Sequence, residues 1–193
     1  MNKLSLVYQK KKAVSKFYCD QLIDYFESRP KGAGCHSENG ETRINRSHKN
    51  SIDCAFSLHN PLAPLSVVLA RQLNISSQEM CKTYRGLGYD YGRGWGVDDM
   101  SNIQKYYPTQ GYTTEHFEWG PDEPFSRRIL AWMVYLNDVT DKGGTHFPNQ
   151  GITLKPRTGD LYIWPAYFTH THCGIPSPTQ IKYIATGWYS FLL

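Results

Sequence analysis

In the segment YTTEHFEW, His116 and Glu118 stand two residues apart. On an extended chain, alternate side chains share a face, so this imidazole and carboxylate point together while Phe117 points the other way. Further on, HTHCGIPSPTQIK repeats the spacing with His170 and His172, and places Lys182 ten residues after the second histidine. Two imidazoles and one carboxylate on one face, with the opposite positions open, are the donor set of a non-haem Fe(II) oxygenase site. Strand parity leaves His170 and His172 equally placed to supply the second imidazole. Cys173 follows His172 directly and turns to the other face, so it is not expected to join them.

Such side chains need a scaffold. Residues 13–28, AVSKFYCDQLIDYFES, carry Val14, Phe17, Leu22, Ile23 and Phe26 at helical spacing, and Arg29-Pro30 closes the segment. A second helix is expected from Pro64 to Asn74 or beyond, and its Leu65, Val68, Leu69 and Leu73 should lie on a sheet. The polar, glycine-containing stretch 31–51 reads as loop with one short strand near Glu41 to Asn45. GLGYDYGRGWGVDDMSN, residues 86–102, reads as a long loop, either a plain connection or a functional lid. Beyond it, alternation and turn signals predict strands near 103–107, 112–118, 128–137, 144–147, 151–155, 160–164, 167–172 and 181–191. The expected class is α+β, mainly β: a jelly roll (double-stranded β-helix) with the N-terminal helices packed on one face. One domain is expected over 1–193, with helices and substrate-side loops in 1–102 and the β core in 103–193.

Composition narrows the function classes. With 14 Tyr, 8 Phe and 5 Trp, the chain suits half-buried strands. The net charge of +4 is mild, and apart from Lys10, Lys11 and Lys12 the basic residues are scattered, so no nucleic-acid partner is expected. No apolar run is long enough for a membrane span or a signal peptide, and a cytoplasmic location is expected. The five cysteines show no metal-type spacing and are expected to be reduced.

Together these motifs resemble the Fe(II)/2-oxoglutarate-dependent dioxygenases, within them the prolyl 4-hydroxylase-like branch. Tyr107 precedes His116 by nine residues, GGTHFP at 143–148 resembles the family's turn, and the His172–Lys182 interval matches the family's ten. The segments RILAWMVYLNDVTDKGGTHF and ITLKPRTGDLYIWP follow the family's order, so the likeness spans residues 103–193. The departure is Glu118, where the family usually has Asp, as in phage-like members with HxE. The resemblance implies that His116, Glu118 and His172 bind Fe(II), and that Lys182 and Tyr107 hold the distal carboxylate of 2-oxoglutarate. With O2, it implies hydroxylation of an unactivated C–H bond coupled to oxidative decarboxylation of 2-oxoglutarate, on a peptide or small-molecule substrate. Trp188 resembles the family's tryptophan at the mouth of the site, with core packing as the alternative. Tyr89, Tyr91 and Trp95 are candidate substrate contacts from the glycine-rich loop. Two other functions stand beside this one. A nucleic-acid base demethylase of the same superfamily would use arginine where Lys182 stands, and a non-catalytic jelly-roll binding module would not need Tyr107 and Lys182 together.

Overall fold

The computed structural model describes residues 5–38, 41–60, 63–88 and 94–192. In chain order, strand β1 (Tyr8–Lys10) leads to helix α1 (Lys16–Ser28), then β2 (Gly32–Ala33), β3 (His36–Glu38), β4 (Glu41–Arg43) and β5 (Ile52–Ser57). Helix α2 (Pro64–Thr83) precedes β6 (Trp95–Val97), β7 (Met100–Tyr106), β8 (Arg128–Tyr135), β9 (Thr145–Phe147) and β10 (Ile152–Leu154). The chain closes with β11 (Leu161–Pro165), β12 (Cys173–Gly174) and β13 (Lys182–Phe191).

Both helices start where the sequence provides for it. The Ser15 hydroxyl accepts the Tyr18 N–H to cap α1, and Pro64 sits in the first turn of α2, where its missing N–H costs nothing. The buried stripe of α1 is Cys19, Leu22 and Phe26; that of α2 mixes Leu69, Leu73 and Met80 with Ser66, Ser76 and Ser77, whose small side chains allow a close approach to the sheet.

An eight-stranded sheet runs in the order β1-β11-β8-β13-β7-β5-β2, with β6 beside the end of β13. A smaller sheet, β10-β9-β12, faces it. Every residue of β8 is buried because both sides of the large sheet are covered. Leu130, Trp132 and Val134 pack with the helices, whereas Ala131, Met133 and Tyr135 join Phe147 and Leu154 between the two sheets. This is the jelly roll with helices on one face. No helix among the described residues is long and apolar enough to cross a membrane.

Three expectations change. Residues 112–118 are not a regular strand but touch their neighbours through two isolated bridges, Lys49↔Tyr112 and His116↔His172. Residues 167–172 contain a 3-10 turn, Phe168–His170, so the assumed parity of His170 and His172 does not hold. The span 86–102 is not one loop. A 3-10 turn closes at Gly88, β6 pairs with β13, and β7 already begins at Met100.

Candidate active site

His116 and His172 exchange both backbone hydrogen bonds, at 3.0 and 2.9 Å, which fixes the two imidazoles side by side. Each ring is then oriented by a carbonyl: His116 Nδ1 lies 2.9 Å from the Thr114 oxygen, and His172 Nδ1 lies 2.9 Å from that of His170. A carbonyl can only accept, so both Nδ1 atoms carry the proton and both Nε2 lone pairs are free. These Nε2 atoms lie 3.7 and 3.5 Å from Glu118 Oε1, and one ligand atom from each residue falls within 4.8 Å of the others. Burial, reinforced by His172, pushes the His116 pKa down to about 3, so its imidazole is neutral near pH 7, as a metal ligand must be. The ring of Tyr112 stacks on His116 at 3.6 Å and 9°, while Phe147 and Trp164 each approach the His172 ring to 5.1 Å.

The longer side chain of Glu118 is accommodated where regular pairing breaks down. The Glu118 and Trp119 N–H groups both donate to the Ala166 carbonyl, at 2.9 and 3.0 Å. Oε2 accepts the Trp188 indole N–H at 2.8 Å and lies 3.8 Å from Arg128. Burial alone would raise the Glu118 carboxyl, but the polar groups around it, the His172 and His116 rings and then Arg128, outweigh it and hold its pKa far below the usual range. Two imidazoles whose Nε2 atoms both face Oε1 of an ionised carboxylate fit Fe(II).

Lys182 opens a second polar site between the sheets. It is 4% exposed, donates to the Gly143 carbonyl at 3.0 Å and lies 4.8 Å from the Tyr106 ring centre. Gly143 has φ +74°, and a Cβ at Gly144 would run into the Leu154 carbonyl, so the paired glycines let the turn reach the lysine. No carboxylate among the described residues pairs with Lys182, and burial lowers its pKa to about 8. A buried ammonium without a counter-charge fits a pocket for an anion.

The structure separates residues that the sequence had grouped. Tyr107 is 40% exposed and packs under Lys105 on the outer side, whereas its neighbour Tyr106 is 3% exposed and sits opposite Lys182. Trp95 lies on the helix-facing side, its ring edge against Tyr189 and its N–H on the Leu87 carbonyl, so it faces away from the histidines. Tyr89 and Tyr91 lie outside the described residues. His170 turns away from the cluster, with Nε2 3.0 Å from the Ser5 carbonyl. Trp188 is at the cluster. Sequence reasoning missed Tyr106, Tyr112, Arg128 and Tyr135. The strand alternation from Gln104 to Tyr106, which ends before Pro108, would have picked out Tyr106 as the inward tyrosine.

Residues 101–190 match the family model of the 2OG-Fe(II) oxygenase superfamily. Its members use Fe(II), 2-oxoglutarate and O2. Over this segment the chain is similar to that superfamily and, within it, to prolyl 4-hydroxylase-like proteins. It is 26% identical over 161 residues to a prolyl 4-hydroxylase-like protein of Acanthamoeba polyphaga mimivirus, covering 73% of this chain and 58% of the relative. It is 28% identical over 97 residues to the chicken (Gallus gallus) prolyl 4-hydroxylase subunit alpha-1, covering 42% of this chain and 19% of that one. The chain thus spans little more than half of the viral relative and a fifth of the chicken subunit. Among solved structures, the viral collagen prolyl hydroxylase of Paramecium Bursaria Chlorella virus-1, in its 2-oxoglutarate complex, has a TM-score of 0.68 at 18% identity, covering 100% of this chain and 99% of the other. A Trichoplax adhaerens prolyl hydroxylase in complex with a hypoxia inducible factor peptide fragment has a TM-score of 0.75 at 14% identity, covering 97% and 84%. At these identities the two structures attest the shared fold.

Proposed function

We propose that the protein binds Fe(II) through His116, Glu118 and His172, binds 2-oxoglutarate with its distal carboxylate at Lys182, and hydroxylates a prolyl or similar residue of a peptide. The observation that carries this is the pairing of two features on one barrel interior: a preoriented two-histidine, one-carboxylate cluster and a buried lysine with no counter-charge among the described residues. Iron, when bound, supplies the O2 chemistry that couples 2-oxoglutarate decarboxylation to C–H oxidation.

The chain's own residues bind, orient and exclude. Lys182 neutralises the distal carboxylate, and Tyr106 and Tyr135, on either side of β13, wall the same end of the pocket. Tyr106 takes the role that the sequence gave to Tyr107. Phe147, Trp164 and Met133 keep the space between the sheets apolar, which limits water around the reacting groups. Peptide as the substrate class is supported by the names of the relatives and by the peptide in the Trichoplax complex. Lys182 stands where the base-demethylase alternative would use arginine, which disfavours that alternative.

The test is succinate formation from 2-oxoglutarate by the purified protein with Fe(II) under air, alone and with a panel of proline-containing peptides. Stimulated succinate release and a peptide gaining the mass of one oxygen are expected. Absence of metal-dependent succinate under every condition would sink the oxygenase assignment, and modification of a methylated oligonucleotide instead of a peptide would replace the substrate class.

A further inference from the structure

Resting on that function, we infer that Trp188 is a positioning residue for the third metal ligand, and that the Trp188–Arg128 pair is what suits this site to glutamate. When a carboxylate binds a metal through one oxygen, its other oxygen needs a partner that sets the angle of the group. Here the division of labour is visible. Glu118 Oε1 faces the two Nε2 atoms at 3.7 and 3.5 Å, while Oε2 accepts the indole N–H of Trp188 at 2.8 Å.

The indole is itself held. The Arg128 guanidinium lies 3.5 Å from the Trp188 ring centre and 4.4 Å from that of Phe125, so the cation is sandwiched between two aromatic faces. The same guanidinium donates to the backbone carbonyl of Glu118 at 3.2 Å, so one residue steadies both the ligand's main chain and its orienting tryptophan. Trp188 pairs across the sheet with Ala131, whose small side chain leaves the indole free to lean toward Glu118. An aspartate at 118 would draw the carboxylate back by about 1.5 Å, one carbon–carbon bond, and could not meet both the metal position and the indole N–H without a backbone shift. This arrangement makes one oxygen, Oε1, the metal ligand and leaves Oε2 to the protein.

The test deletes the N–H and little else. In the full chain, Trp188 is replaced by benzothienylalanine, an isosteric ring with sulfur in place of N–H, and in parallel by Phe. Co(II) affinity and the Co(II) absorption spectrum are then measured for both variants, for Glu118→Asp, and for Glu118→Asp combined with Trp188→Phe. Both Trp188 variants should bind Co(II) about 10–100-fold more weakly, the range for loss of a partner that orients a metal ligand, with a shifted spectrum. Adding Trp188→Phe to Glu118→Asp should cost much less than in the wild type, because the aspartate has already lost the indole. Wild-type Co(II) affinity and spectrum in the benzothienylalanine variant would overturn the positioning role, as would full additivity of the two substitutions. Failure of the wild type to bind Co(II) at all would instead overturn the metal centre, and the role of Trp188 with it.

Discussion

Lys182 and Tyr106 stand directly opposite each other on β13 and β7, with the lysine Nζ 4.8 Å from the tyrosine ring centre. Among the described residues the ammonium therefore leans on an aromatic face and the Gly143 carbonyl, in place of a carboxylate. That is a poor solvation shell for a cation and a good one for a cation awaiting an anion.

Replacing Lys182 by Ala should weaken 2-oxoglutarate binding by about 3–5 kcal/mol, since the distal carboxylate would be buried without a partner. Co(II) or Mn(II) affinity should change little. Calorimetric titration of 2-oxoglutarate into the Mn(II)-loaded variant measures the first, and metal titration the second. Equal 2-oxoglutarate affinity in the two proteins would remove Lys182 from the pocket.

The same burial predicts a pH dependence. With the Lys182 pKa lowered to about 8, the free protein keeps the ammonium below that pH and loses it above. An anion binds the charged form, so 2-oxoglutarate affinity should be flat from pH 6.5 to 7.5 and fall by about tenfold per unit well above pH 8. An affinity that stays level to pH 10 would contradict the shift.

Without ligand, Lys182 should cost stability. Its folded pKa lies below the unfolded value, so the unfolded chain binds the proton more tightly, and the penalty is full below about pH 8 and fades as pH rises toward about 10.4. Lys182→Met should therefore stabilise the metal-free protein by up to about 3 kcal/mol at pH 7, and by much less at pH 10. Urea unfolding at the two pH values tests this, and an unchanged or lower midpoint for the variant at pH 7 would refute it.

Tyr106→Phe and Tyr107→Phe should behave differently although they are neighbours. The Tyr106 hydroxyl donates to Gln104 at 2.6 Å and must turn to the distal carboxylate to serve it, in which case its loss should raise the 2-oxoglutarate requirement by about 0.5–3 kcal/mol. Tyr107 lies outside, and its Phe variant should match wild type in succinate assays at varied 2-oxoglutarate. The opposite ranking would restore the sequence-based role of Tyr107.

His172→Ala should abolish Co(II) binding, whereas His170→Ala should retain it with a moderate loss of thermal stability. His170 anchors the N-terminal arm through the Ser5 carbonyl and presents only its own backbone oxygen to the cluster. Loss of metal in His170→Ala with an intact circular dichroism spectrum would show that the two histidines have been assigned the wrong way round.

Much of this was legible in the sequence because it depended on local rules. The helices followed from periodicity and, for α1, the Arg29-Pro30 stop, and the strands β7, β8, β10, β11 and β13 from alternation and turn glycines. The His116–Glu118 pairing survived even though its segment is not a regular strand, since extended backbone keeps the same parity. What failed depended on partners distant in sequence. Tyr107 was chosen over Tyr106 because a count to His116 cannot say which face of β7 looks into the space between the two sheets. Tyr112 and Arg128 carry no motif, and their positions come from the Lys49 bridge and from the sandwich between Phe125 and Trp188. Trp95 looked like part of a lid because glycines surround it, yet pairing with Phe191 places it on the helix side.

The reciprocal backbone bond between His116 and His172 also bears on how the protein acquires its ion. Main-chain pairing sets the spacing of the two imidazoles, and the Thr114 and His170 carbonyls set their rotation, so assembly of the donor cavity does not wait for a cation. Proteins whose ligands gather only around the ion unfold when a chelator removes it. This chain should instead come through chelation with its proteolysis pattern and chain dimensions unchanged. It should then be open to reloading by whichever divalent ion is supplied, a vessel whose shape outlasts its contents.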